Sequence, residues 1–238
     1  MEREFIALII VILASLAAVM GIYVLNVLFK DRLKELFDDK NYFIIFFLIT
    51  GYILYALGEV AFYVTEKYSQ QIQPMGIADV YWAFGAILIL ISFSALAYIS
   101  IKSNENKFRF IHLIMFVGLL LVLVSYFLFS FTLKGEGNFF NYFYPLIGTL
   151  IVGMSLSAVI ALEKSHHFSR SILIFSLASA GILLGDIIFT YELVAGTNFS
   201  VMLGLVEDLF YCLGYGLAAV AFLNMLLKTR EADFQDSN

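Results

Sequence analysis

Charge is what this sequence has least of. Only 14% of its 238 residues are Asp, Glu, Lys or Arg, against about 25% in a soluble globular domain. Proline is nearly absent too: Pro74 and Pro145 are the only two, and neither interrupts the middle of an apolar run. That argues against the broken helices many secondary transporters use at their binding sites. The single cysteine, Cys212, excludes an internal disulfide, and its apolar surroundings mark it as a small core residue. Histidine is scarce: His112, His166 and His167 fall near basic loops and away from the acids discussed below, so no zinc set is assembled. No Gly-x-Ser-x-Gly, P-loop or HExxH string occurs. The sequence therefore carries no expectation of a catalytic residue, a metal ligand, a cofactor or a nucleic-acid partner.

What the chain has in excess is apolar length. Hydrophobic residues make up 62% and the mean hydropathy is +0.93, well beyond the 45–50% apolar content of about an average soluble domain. Seven runs, at about 5–29, 42–65, 77–101, 109–133, 141–162, 171–192 and 201–227, have the length of spanning helices. An all-α integral membrane bundle over residues 1–228 is expected, followed by a disordered tail at 229–238. These runs use up most of the chain and leave no room for a soluble catalytic domain. The GxxxG string at Gly181–Gly185 and the small residues Gly148, Gly153, Ser155 and Ser157 fit close helix packing.

Basic residues fix the expected orientation. One side would carry Lys30, Arg32, Lys34, Lys40, Lys102, Lys107, Arg109, Lys164, Arg170, Lys228 and Arg230, the other only Arg3, Lys67 and Lys134. By the positive-inside rule the N-terminus is outside and the C-terminus cytoplasmic. The first run is longer than a signal-peptide core and its basic cluster follows it, so it reads as an uncleaved anchor. The mixed-charge stretch at 30–41 reads as a solvated cytoplasmic turn with lipid-facing lysines. The location expected is the cell membrane, with the bilayer itself as first partner.

Two stretches of sequence resemble each other. "ALGEVAFYV" (56–64) parallels "LLGDIIFTY" (183–191), and "ADVYWAFGAIL" (78–88) parallels "EDLFYCLGYGL" (207–217), at offsets of 127 and 129. Gly58 falls over Gly185, Glu59 over Asp186, Asp79 over Asp208, Trp82 over Tyr211 and Gly85 over Gly214. Helices 1–3 (about 5–101) then match helices 5–7 (about 141–227), with helix 4 between them. An odd number of intervening helices makes the copies parallel.

The acids within these stretches carry the functional expectation. An acid at the centre of a bilayer costs about 2.5–3.5 kcal/mol on insertion scales and is rare without a use. At 1.5 Å per residue, Glu59, Asp186 and Asp208 would each lie roughly 10 Å inside the outer boundary, with Asp79 shallower. On helix 2, Tyr52, Tyr55, Glu59 and Tyr63 share one stripe, and on helix 7 Asp208, Tyr211 and Tyr215 share another. An outward-facing pocket between helices 2, 3, 6 and 7 is expected, with Glu59, Asp79, Asp186 and Asp208 at its mouth and Tyr55, Tyr63, Trp82 and Tyr211 as aromatic walls. Asp79 and Glu207 have a plainer reading as caps at N-terminal helix turns. Glu59 and Asp186 do not, because they sit near C-terminal helix ends, where the dipole disfavours them.

The strings "DVYWAFG" (79–85) and "DLFYCLG" (208–214), each preceded by "LGEVAFY" or "LGDIIFT", resemble the multi-helix sensor regions N-terminal to some bacterial diguanylate cyclases and sensor histidine kinases. The resemblance covers helices 2–3 and 6–7. It implies signal transduction, and, with no output domain within these 238 residues, a separate cytoplasmic signalling partner. The seven-helix plan also resembles microbial rhodopsins, but the body of helix 7 has no lysine for a retinal Schiff base; Lys228 lies at its end. A non-enzymatic receptor or sensor for an extracellular small molecule or cation is thus the first expectation. A transporter or channel for protons, metal cations or a cationic solute is the alternative. It is disfavoured by a thin polar path below the acids: Ser92, Ser94, Ser176, Ser179 and Asn224.

Overall fold

A chain in hydrocarbon must satisfy its backbone within each segment, and the helix does this. The computed structural model describes residues 2–29, 36–69, 76–103, 110–132, 139–162, 168–195 and 201–236, and all regular structure in them is helical. The elements are α1 (Glu2–Leu28), α2 (Lys40–Ser69), α3 (Ile77–Ser103), α4 (Phe110–Phe127, continued by a π-helical turn at Leu128–Thr132), α5 (Phe139–Ala161), α6 (Ser169–Ala195) and α7 (Val201–Asp236). Each contains a stretch long and apolar enough to cross a membrane. Residues 30–35 of the basic turn, Pro74, Lys134 and the His166–His167 pair lie outside the described residues.

Helix ends follow local chemistry. Asp39 caps α2, its carboxylate accepting from the N–H groups of Asn41 (2.8 Å) and Tyr42 (3.2 Å). α7 runs on to Asp236, through most of the stretch expected as a tail. No Gly or Pro follows Gly216 to stop it. Pro145 inside α5 has no N–H to offer the carbonyl of Asn141 one turn earlier. Thr190 of α6 takes that place, donating to the Asn141 carbonyl at 3.5 Å. Hydroxyls elsewhere return to their own helix, as Ser157 to Gly153 (2.7 Å) and Ser176 to Ile172 (3.0 Å).

Six helices close a ring in the order α1, α2, α3, α5, α6, α7 and back to α1, while α4 packs outside against α5. The two most extensive pairings are α2 with α3 and α6 with α7, and both depend on glycine. A Cβ on Gly85 of α3 would lie 2.6 Å from a Tyr55 ring carbon and 2.9 Å from the Gly51 carbonyl oxygen. A Cβ on Gly214 of α7 would lie 2.7 Å from an Ile182 side-chain carbon and 3.0 Å from the Ala178 carbonyl oxygen. In both places backbone approaches backbone, which only a missing side chain permits.

The middle of the ring is filled by aromatic rings. Tyr52, Phe93, Phe175 and Phe222 are fully buried, with centroids 4.7 Å apart for Phe175–Phe222, 5.6 Å for Tyr52–Phe222, 5.8 Å for Tyr52–Phe175 and 6.4 Å for Phe93–Phe175. The outside is apolar as well: Ile12 and Val19 on α1, and Ile114, Met115 and Val122 on α4, are all exposed.

Candidate functional site

The expected acids do gather at one end of the ring. α2 and α6 run toward that end while α3, α5 and α7 start from it, so residues late in the first two meet residues early in the others. Glu59 is buried and accepts a hydrogen bond of 2.6 Å from the phenol of Tyr215, which reaches across from α7 to α2. Asp186 on α6 accepts one of 2.9 Å from the phenol of Tyr211, one turn earlier on α7. Asp186 and Asp208 each lie close enough to Glu59 to interact with it electrostatically. Glu59 and Asp186 have no basic partner among the described residues; their hydrogen-bond donors are aromatic side chains.

Glycine lets those aromatics approach. A Cβ on Gly58 would fall within 3.0 Å of three atoms of the Trp82 indole, and one on Gly185 within 3.0 Å of three atoms of the Tyr211 ring. Each acid follows its glycine in sequence, so the aromatic crossing the glycine lies beside the acid. In one case this gives the Tyr211–Asp186 bond. In the other the buried indole N–H of Trp82 lies against Glu59 but falls short of hydrogen-bond geometry.

Tyr55 completes the interior wall, buried on α2 and set edge-on to Tyr52 (6.1 Å) and Tyr215 (6.3 Å). Tyr63 is half-buried one turn beyond Glu59 toward the end of α2. Among the described residues, no group of three or more His, Cys, Asp or Glu side chains is disposed to hold a metal ion.

Asp79 takes the plainer of its two readings, and two further features differ from expectation. Asp79 acts as the helix cap foreseen as its plainer reading: one carboxylate oxygen accepts from the N–H of Gly76 (2.8 Å), just before α3 begins. The other accepts from the phenol of Tyr144 (2.9 Å). Glu207 is not a cap. α7 starts at Val201, so Glu207 lies nearly two turns inside, beyond the free N–H groups, and it is buried. Finally, helices 2, 3, 6 and 7 do not form one contiguous wall. α5 stands between α3 and α6 and contributes Tyr144, whose ring is edge-on to Trp82 at 6.3 Å.

Two residues of the site were missed as ligands in the sequence. Tyr215 had a signal, since it shares the Asp208–Tyr211 stripe. Tyr144 had none, being one aromatic in the run "FFNYFYP". Compared with known proteins, the chain matches no family model, no curated protein and no solved structure.

Proposed function

We propose that this chain is a non-enzymatic membrane receptor or sensor, N-out and C-in, that recognises an extracellular cationic group at Glu59 and Asp186. The observation that carries the reading is a pair of central carboxylates on different helices, held by phenols and without a basic partner among the described residues. Such a pair costs stability in an apolar setting, and the missing positive charge is what a ligand would supply. Aromatic rings beside it, from Tyr55, Tyr211 and Trp82, suit an alkylammonium ion better than a hydrated inorganic one.

The aromatic layer of Tyr52, Phe93, Phe175 and Phe222 supports reception over transport. It lies between the acids and the polar pair at the far end, where Asn224 donates to Ser171 at 2.8 Å. A carrier would need that layer to open.

The same reading includes a duplicated architecture. Exchanging α1, α2 and α3 for α5, α6 and α7 carries α1–α2 packing into α5–α6, α2–α3 into α6–α7, and α3–α5 into α7–α1. It also carries Gly58 against Trp82 into Gly185 against Tyr211, and the Gly85–Gly51 approach into Gly214–Ala178. These equivalences support two parallel copies about an axis along the membrane normal, with α4 as linker. In this scheme Tyr215 has no counterpart, since Ala86 stands at the matching position. The bond from Tyr215 to Glu59 ties one copy to the other, and a ligand that competes for Glu59 would loosen it. That is how occupancy reaches the cytoplasmic end.

Trp82 is the chain's single tryptophan and lies against Glu59, so its emission reports on the site directly. Titrating purified protein with a primary or quaternary alkylammonium ion should change that emission saturably. Alcohols of the same size should leave it unchanged. An equal response to ammonium ion and alcohol would overturn cation recognition.

A further inference from the structure

At the opposite end of the helices, where α2 begins and α3 ends, a groove of about 420 Å³ opens on the outside of this pair. Phe37, Phe43, Tyr98 and Ile99 give it a mainly apolar lining, and Lys40 and Lys102 stand in its wall. Among the described residues, no Asp or Glu lines it. The nearest carboxylate in sequence, Asp39, is already engaged in capping α2. Neither lysine has an acidic partner among the described residues; Lys102 holds its ammonium 6.0 Å from the centroid of the exposed Tyr98 ring.

We propose that this groove binds one anionic glycerophospholipid, its phosphate between Lys40 and Lys102 and an acyl chain lying along Phe43, Ala95 and Ile99. The two chemistries are needed together. Paired unneutralised lysines call for an anion, and the apolar lining running into the spanning part of α2 and α3 calls for hydrocarbon attached to it. Inorganic phosphate would leave that lining uncovered. The exposed rings of Phe37 and Tyr98 belong to the level where aromatics meet headgroups. The assignment rests on the bilayer reading above, and with the C-terminus inside it places the lipid in the cytoplasmic leaflet, where anionic lipids concentrate.

Native mass spectrometry of protein released from mixed phosphatidylcholine–phosphatidylglycerol nanodiscs tests this. Wild type should retain one phosphatidylglycerol in preference to phosphatidylcholine, and added inorganic phosphate should not displace it. Each lysine near an anionic surface contributes roughly five-fold, so Lys40→Gln with Lys102→Gln should cut the preference by at least about ten-fold. Lys228→Gln, at the same end but outside the groove, should not. Equal retention of the two lipids by wild type, or an equal loss in the Lys228 control, overturns the site. Displacement by inorganic phosphate would show an anion site without the lipid component and also overturns it. A chain that enters no bilayer at all overturns the membrane reading and this assignment with it, whereas one that enters without lipid preference overturns the lipid site alone.

Discussion

Exchanging the two central carboxylates for amides, Glu59→Gln with Asp186→Asn, will weaken primary alkylammonium binding by about 100-fold or more and at the same time raise the melting temperature. The first effect follows from the charges. A hydrogen bond to a charged group contributes about 1.5–3 kcal/mol, and each 1.4 kcal/mol is a factor of ten, so losing two costs at least about 100-fold. The second follows from their setting. A carboxylate deep in a spanning helix costs up to about 2.5–3.5 kcal/mol, while an amide carries no charge and still accepts the Tyr215 and Tyr211 phenols. Gain of stability with loss of binding is the mark of residues kept for function. Trp82 emission gives the affinity, and a near-ultraviolet circular dichroism melt gives the stability. If the acids serve only to hold helices together, the amide variant will melt lower and binding will follow folding.

The second large effect concerns the helix pairs that carry the site. Gly214→Val should prise α6 from α7, because its side chain would meet the Ala178 carbonyl and Ile182 where a Cβ alone already comes within 3.0 Å. Overpacking typically costs about 1–3 kcal/mol, and more where the obstacle is backbone. Gly85→Val should do the same to α2 and α3, against Gly51 and Tyr55. The two variants should lose similar amounts of folded protein in detergent, since they occupy matching places in the two proposed copies. Gly118→Ala and Gly216→Ala, with no atom within 4 Å of the added carbon, are the controls and should melt as wild type or slightly higher. Unchanged melting in both valine variants would mean that the close approaches do not hold the pairs together.

What the sequence discloses here is governed by distance along the chain. The seven helices were legible because hydrocarbon thickness imposes a length that apolar runs must match. Tyr52, Tyr55 and Glu59 were legible as one face because helix period alone places them together. The Asp186–Tyr211 contact was within reach of the repeat argument, since both stretches show glycine and acid on one helix and an aromatic on the next. The Tyr215–Glu59 bond was not. It joins residues 156 positions apart across a ring whose closure, α7 against α1, no local pattern reveals. The same holds for α5 between α3 and α6, which brought Tyr144 to Asp79. Glu207 went wrong for a local reason. Its nearness to the start of α7 suggested a cap, but capping ends with the first turn, and Glu207 lies beyond it.

The central claim is an outward-facing cation site built on Glu59 and Asp186, and sidedness tests it most directly. In sealed vesicles of known orientation, an impermeant quaternary ammonium ion added to the face bearing the N-terminus should change Trp82 emission. The same ion confined to the face bearing the C-terminus should not, and the Glu59→Gln/Asp186→Asn protein should respond from neither. A response from the C-terminal face, or one that survives in the double variant, would contradict the account.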